Sequence, residues 1–321
     1  MGKTKLEYIW LDNTNGLYTT IRSKTKIVSS DLGEIKFSDI PKWSDYLFED
    51  GSLVKCILKP VKIYDNKGDN SHIILCEVMN LDKSPHEVNF RHGLISMLED
   101  NEIHFGFEQE YFITNNNGQQ PRYDKNNSES YCGIGSNNVF LRDLAEEHLD
   151  MCLCADLDIV GINAELTIGQ WEFQIGHNSK GIDSCDDLVV ARYLLGRLSE
   201  KYGVTIEYKS SPQQGHHLFC HINFSTKQMS KGIDDDMVHN IRHEFLEANK
   251  THLEEFGDNN ERFEVSFTPD LDEPRVNVNN KESSLNIVQE EKYVEDRRPP
   301  ANINPYKACQ TITRTINKIF E

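Results

Sequence analysis

Basic residues are in short supply in this 321-residue chain: 34 Lys and Arg stand against 52 Asp and Glu, for a formal net charge of −18. Binding a phosphate-rich polymer needs a basic surface, so this balance argues against nucleic acid as a partner. No apolar run approaches the roughly 20 residues needed to span a bilayer. The opening MGKTKL has neither a signal-peptide core nor the Ser or Thr of a myristoylation site, so the expectation is a cytoplasmic protein. The eight cysteines include no CxxC pair, which argues against a thiolate zinc centre. Cys152 and Cys154, two apart in apolar surroundings, are expected to be buried thiols. Internal repeats and low-complexity tracts are also missing.

What is present is a β-rich beginning followed by a mixed remainder. EYIWLD and LYTTIRSK flank an Asn-Thr-Asn-Gly turn and predict a hairpin. SLVKCILKPVKIY and HIILCEVMN predict two further strands, and no long helical pattern precedes residue 92. Beyond it, RDLAEEHLDMCLCADL has helical spacing. CDDLVVARYLLGRLSEKYG aligns Leu188, Ala191, Leu195, Leu198 and Tyr202 on one stripe, with Asp186 and Asp187 at the expected start and Gly203 at the end. DDDMVHNIRHEFLEANKTHLEEF predicts a charged amphipathic helix broken near Asn249. The expected class is α+β, with a small N-terminal domain over 1–92 and a larger one over 93–321 built on a curved antiparallel sheet with flanking helices.

Two stretches combine apolar strands with acids, and a third adds an imidazole. In FGFEQEYF, Glu108 and Glu110 are two residues apart and share one face of a strand. In NAELTIGQWEFQIG, Trp171, Phe173 and Ile175 bury one face while Glu172 and Gln174 point from the other, with Glu165 just upstream. In HHLFCHINF, His221 and Asn223 share a face opposite Cys220, Ile222 and Phe224. Unpaired buried charges cost several kcal/mol each, so carboxylates gathered in this way call for a cation or a substrate. Oxygen donors with a single imidazole suit Mg²⁺ or Mn²⁺ better than Zn²⁺. The alternative is a solvated face on an open antiparallel sheet.

Taken in order, FGFEQEY, GINAELTIGQWEFQIG, CHINFST and YVEDRRPPANINPY resemble the motifs of eukaryotic-type glutamine synthetase, and EYIWLDNTNGL, IRSKTKIV and FEDGS extend the likeness toward the start. The family has a small β-grasp-like domain before its catalytic domain. It uses ATP to phosphorylate the γ-carboxylate of glutamate, and ammonia then attacks the acyl phosphate. The resemblance implies that Glu110, Glu165 and Glu172 hold one divalent ion and that Glu108, His221 and Glu295 hold another. It implies that Arg297 faces the reacting phosphate or carboxylate, that Arg262 clamps the α-carboxylate of glutamate, and that Ser225 and Phe173 lie on the nucleotide side. Asp50 would complete a neighbour's site and help to bind and deprotonate ammonium. Two stacked rings of five subunits are the implied assembly.

Three segments depart from the family pattern. HHLFCH replaces a glycine-bearing NGxGxH loop, so His216, His217, Leu218 and Phe219 are expected to bring side chains toward the substrate, with His217 a candidate contact. VSFTP replaces a GxHET flap and puts Thr268 where a glutamate belongs. NKESSLN replaces NRxxSxR and leaves Lys281 and Asn286 in place of two phosphate-contacting arginines. Three readings are compatible with these departures: an active glutamine-forming ligase, a related ligase with another acceptor or amine, and a catalytically weak homologue that binds Mg-nucleotide and assembles with or regulates an active synthetase.

Overall fold

Alternation of apolar and polar residues governs how the strands are used. In the computed structural model, residues 2–12, 20–30, 35–49, 52–66, 70–98, 102–115, 129–176, 180–209, 217–257 and 274–320 are described. The chain divides into two units, Met1–Gly93 with Asp150–Leu157, and Leu94–Leu149 with Asp158–Glu321. The class is α+β, as expected.

The first unit is a five-stranded sheet of β1 (Gly2–Asp12), β2 (Thr20–Ser30), β3 (Trp43–Glu49), β4 (Ser52–Asn66) and β5 (Ser71–Met79), in the order β2-β1-β5-β4-β3. The expected hairpin is formed, with Asp12 opposite Thr20. β1 and β5 run parallel at the centre, which is a β-grasp-like arrangement. Leu6, Tyr8 and Trp10 alternate into a core with Leu47, Leu58 and Ile74, each such side chain contributing roughly 1.5–3 kcal/mol of burial. The Tyr8 hydroxyl inside that core donates to the Pro41 carbonyl at 2.6 Å.

The second unit contains α1 (Phe90–Leu98, begun in the first), β6 (Ile103–Asn115), α2 (Arg142–Cys154, whose end belongs to the first), β7 (Ile159–Ala164), β8 (Gln170–Ile175), α3 (Gly181–Tyr202), β9 (Val204–Glu207), β10 (Cys220–Thr226), α4 (Asp235–Glu247), α5 (Asn249–Glu255), β11 (Val276–Val278), β12 (Leu285–Val288), β13 (Tyr293–Asp296) and α6 (Pro305–Phe320). Its sheet order is β11-β12-β13-β10-β6-β8-β7, with β9 also paired to β6. Pairing is antiparallel except between β11 and β12. Phe107, Phe173, Ile175, Ile222 and Phe224 are all buried on the helix side of this sheet. Leu188, Ala191, Leu195 and Leu198 of α3 are buried as the stripe predicts.

Two expectations need correction. α3 begins at Gly181, so Asp186 and Asp187 lie inside it and are buried. The hydroxyl of Tyr306 donates to Asp186 at 2.7 Å and the backbone N–H of Asp158 donates to Asp187 at 3.1 Å, so tertiary partners satisfy carboxylates that composition suggested for a helix start. Cys152 is buried but Cys154 is exposed, because α2 turns them to different sides. The break at Asn249 occurs where expected, between α4 and α5.

Candidate active site with an acidic metal cage

Strand register brings the acids together. His221 on β10 lies opposite Glu108 on β6, Glu110 opposite Glu172 on β8, and Asn223 opposite Glu295 on β13. All face a cavity of about 870 Å³ that Glu165, Arg297, His217 and Lys281 also line. Among the described residues, Glu108, His221 and Glu295 form a cluster whose potential ligand atoms lie within 4.8 Å of one another. The His221 ring Nδ1 is 3.4 Å from Glu108 and 3.5 Å from Glu295.

Each of the five carboxylates has one carboxamide neighbour. Asn223 donates to Glu108 at 2.8 Å, Gln170 to Glu110 at 3.0 Å, Asn163 to Glu165 at 2.8 Å and Asn286 to Glu295 at 3.1 Å, while Gln174 donates to Glu172. These donors fix the carboxylates without adding positive charge, so the cage keeps its attraction for a cation. Gln170, Glu172 and Gln174 occupy alternate positions of β8, a signal visible in GQWEFQ. Asn163 lies two residues before Glu165 in NAELT, whereas the contribution of Asn286 depends on the neighbouring strand and is not visible locally.

The electrostatics separate the two halves of the cage. Burial, with the charges of Glu165 and Glu172 adding to it against the opposing effect of His221, pushes Glu110 up to about 8. Burial, followed by the charges of Glu108 and Glu165, pushes Glu172 up to about 7. Burial also opposes ionisation of Glu108, yet hydrogen bonding and charge from His221, with Asn223 and Arg297, hold it down at about 2. For His221, burial favours the neutral ring but Glu108 and Glu295 raise its affinity for a proton. A cluster that must otherwise take up protons to remain buried fits a divalent cation, and its donors, oxygens and one imidazole, suit a hard ion. Arg297 donates to Glu295 at 2.7 Å, while its buried Nε has no partner among the described residues. A buried donor without an acceptor beside this cavity fits an anionic ligand.

The remaining predicted positions divide. His217 reaches the cavity, and its carbonyl accepts from Gln170 at 3.1 Å. Lys281 also lines the cavity. Ser225 shares the strand face of His221 and Asn223 but lies further along β10, outside the lining residues. Phe173 turns its side chain to the other face, fully buried, with its ring 5.1 Å from that of His148. Leu218 is likewise buried, against Phe112 and Ala301, and takes no space in the cavity. Phe219 does line it, with its ring stacked on His221 at 5.7 Å. Asp50, His216, Arg262 and Thr268 lie outside the described residues.

The sequence model described as the glutamine synthetase catalytic domain matches residues 92–245. Glutamine synthetase of Rhizobium meliloti is 36% identical over 331 residues, covering 96% of this chain and 98% of that protein. Glutamine synthetase of Agaricus bisporus is 32% identical, with 98% and 93% covered. Glutamine synthetase 1, mitochondrial, of Drosophila melanogaster is also 32% identical, with 98% and 84% covered. No helix among the described residues is long and apolar enough to cross a membrane. With the motifs in order, the acids on one sheet face and the likeness running nearly end to end, the chain belongs to the glutamine synthetase family and is an ATP-dependent carbon–nitrogen ligase.

Proposed function

We propose that this cavity joins ammonia to the side-chain carboxylate of glutamate, with ATP as phosphoryl donor and γ-glutamyl phosphate as intermediate. The observation that carries the reading is the convergence of Glu108, Glu110, Glu165, Glu172, Glu295 and His221 on one sheet face, each acid steadied by an amide. Glu110, Glu165 and Glu172 would hold one Mg²⁺ or Mn²⁺, and Glu108, His221 and Glu295 the other. Such ions, when bound, neutralise the phosphate oxygens during transfer. Arg297 presents a second source of positive charge, and its unpaired Nε–H is available to an oxygen of the transferring group. Lys281 supplies a point charge toward the nucleotide phosphates. Arg262 would bind the α-carboxylate of glutamate, and Asp50 would receive ammonium and its proton in a neighbouring subunit. A homo-oligomer of two five-membered rings and a cytoplasmic location belong to the same proposal.

The test is formation of glutamine and ADP from glutamate, ammonium and ATP with Mg²⁺ or Mn²⁺. Turnover abolished by chelation and restored by either ion supports the reading; no turnover with intact Mn²⁺ binding overturns it. Asp50→Ala and Glu172→Ala chains, each inactive alone, are expected to regain activity in mixed assemblies.

One observation favours a second reading, a ligase with another acceptor or amine. Phe219 puts an aromatic ring beside His221 where family members carry glycine, narrowing the space for an acceptor. ADP formation with a different acid or amine, and none with glutamate and ammonium, would select it.

A further inference from the structure

Asn286 stands where the family pattern has a phosphate-contacting arginine, and its side chain is too short and too buried for that task, being 2% exposed. It lies directly across the ladder from Glu295. Its Oδ1 accepts the backbone N–H of Asn280 at 2.8 Å. A backbone N–H can only donate, so this bond fixes which end of the amide is oxygen. The Nδ2 group is thereby turned to Glu295, where it donates to Oε2 at 3.1 Å. The other carboxylate oxygen, Oε1, faces Arg297 at 2.7 Å and His221 at 3.5 Å.

We infer that Asn286 is a positioning residue for the cation held by Glu108, His221 and Glu295: it pins one oxygen of Glu295 so that the other is presented to the ion. The terminal torsion of a glutamate is broad, so an unpinned carboxylate spreads over many orientations. A neutral amide removes that freedom without competing for the charge, as the other four amides do for their carboxylates. The position has exchanged a role toward the nucleotide for a role toward the metal. This inference rests on the reading of the cavity as a divalent-ion site.

The experiment is titration of the full-length protein with Mn²⁺ followed by electron paramagnetic resonance of the free ion, without nucleotide or turnover. Asn286→Ala is expected to weaken the Glu295 site by about 10- to 100-fold. Glu295→Gln is expected to weaken it at least as much, and adding Asn286→Ala to Glu295→Gln is expected to cost little more, because the amide then has no carboxylate to orient. Wild-type affinity in Asn286→Ala, or a loss that adds in full to that of Glu295→Gln, would overturn the inference while leaving the metal reading intact. Failure of the unmutated protein to bind Mn²⁺ would overturn both. Melting in EDTA establishes that each variant is folded; if the alanine variant is not, Asn286→Ser carries the same test with a smaller cavity.

Discussion

Two acid–arginine pairs interleave at the end of β13, and they differ in completeness. Asp296 and Arg298 face the core with no exposure, joined at 2.6 and 2.9 Å. Arg298 also donates to Asn249 at 2.7 Å and to His252 Nδ1 at 2.8 Å, and lies over the rings of Phe245 and Phe256. Glu295 and Arg297 face the cavity, where Arg297 keeps an unused buried N–H among the described residues. The same two-residue spacing therefore serves two purposes. A pair whose donors are all engaged holds the fold together, and a pair with a donor left over is ready for a ligand.

Breaking the core pair gives the largest expected effect. Asp296→Ala leaves Arg298 buried and uncompensated, at a cost of about 3–5 kcal/mol, enough to prevent folding or lower the denaturation midpoint sharply. Glu295→Gln should leave melting of the metal-free protein nearly unchanged and lower the rate about 100-fold or more. Equal loss of stability in the two variants would erase the distinction. Arginine-to-lysine substitution sharpens it: Arg298→Lys should lower stability, whereas Arg297→Lys should lower kcat and leave the melting temperature in place.

The pH dependence of the metal-free protein should separate the two faces. His148 is pushed down to about 4 by burial, despite a bond to the Ala191 carbonyl. His252 is pushed down to about 3 by burial and by Arg298. Groups with depressed values contribute stability that is present above their unfolded value near 6.5 and lost as pH falls toward 4 and then 3. Glu110 and Glu172 are raised, so their contribution is present below about 4.5 and lost as pH rises through 7 and 8. Denaturant melts in EDTA should show a maximum near pH 5–6. Saturating Mn²⁺ should restore the alkaline side, with about 2.7 kcal/mol gained at 100 times Kd. The smallest effect expected is that of Gly161→Ala. A Cβ there meets the amide oxygen of Gln174, which steadies Glu172, so a several-fold loss of Mn²⁺ affinity is expected with little change in melting.

The acidic face could be read in the sequence because strand alternation is local: Glu108, Glu110, Glu172 and His221 each sit two residues from another polar group and between buried ones. The sheet order could not, since it depends on β10 being placed between β6 and β13 by contacts far apart in the chain. Phe173 follows the same alternation, its odd position sending the ring to the core. Asn286 shows the limit of such local reading. As a letter it reads as a lost charge, and only the partner strand reveals what it holds.

Cys220 adjoins His221 in the chain yet is fully buried on the other side of β10, and burial pushes its thiol up to about 12, against Arg192. At neutral pH it stays protonated and faces away from the ion-binding side. Among the described residues no cysteine lines the cavity, while Cys132 and Cys154 are exposed and would meet copper, cadmium or peroxide first, Cys132 next to Tyr131 on the cavity wall.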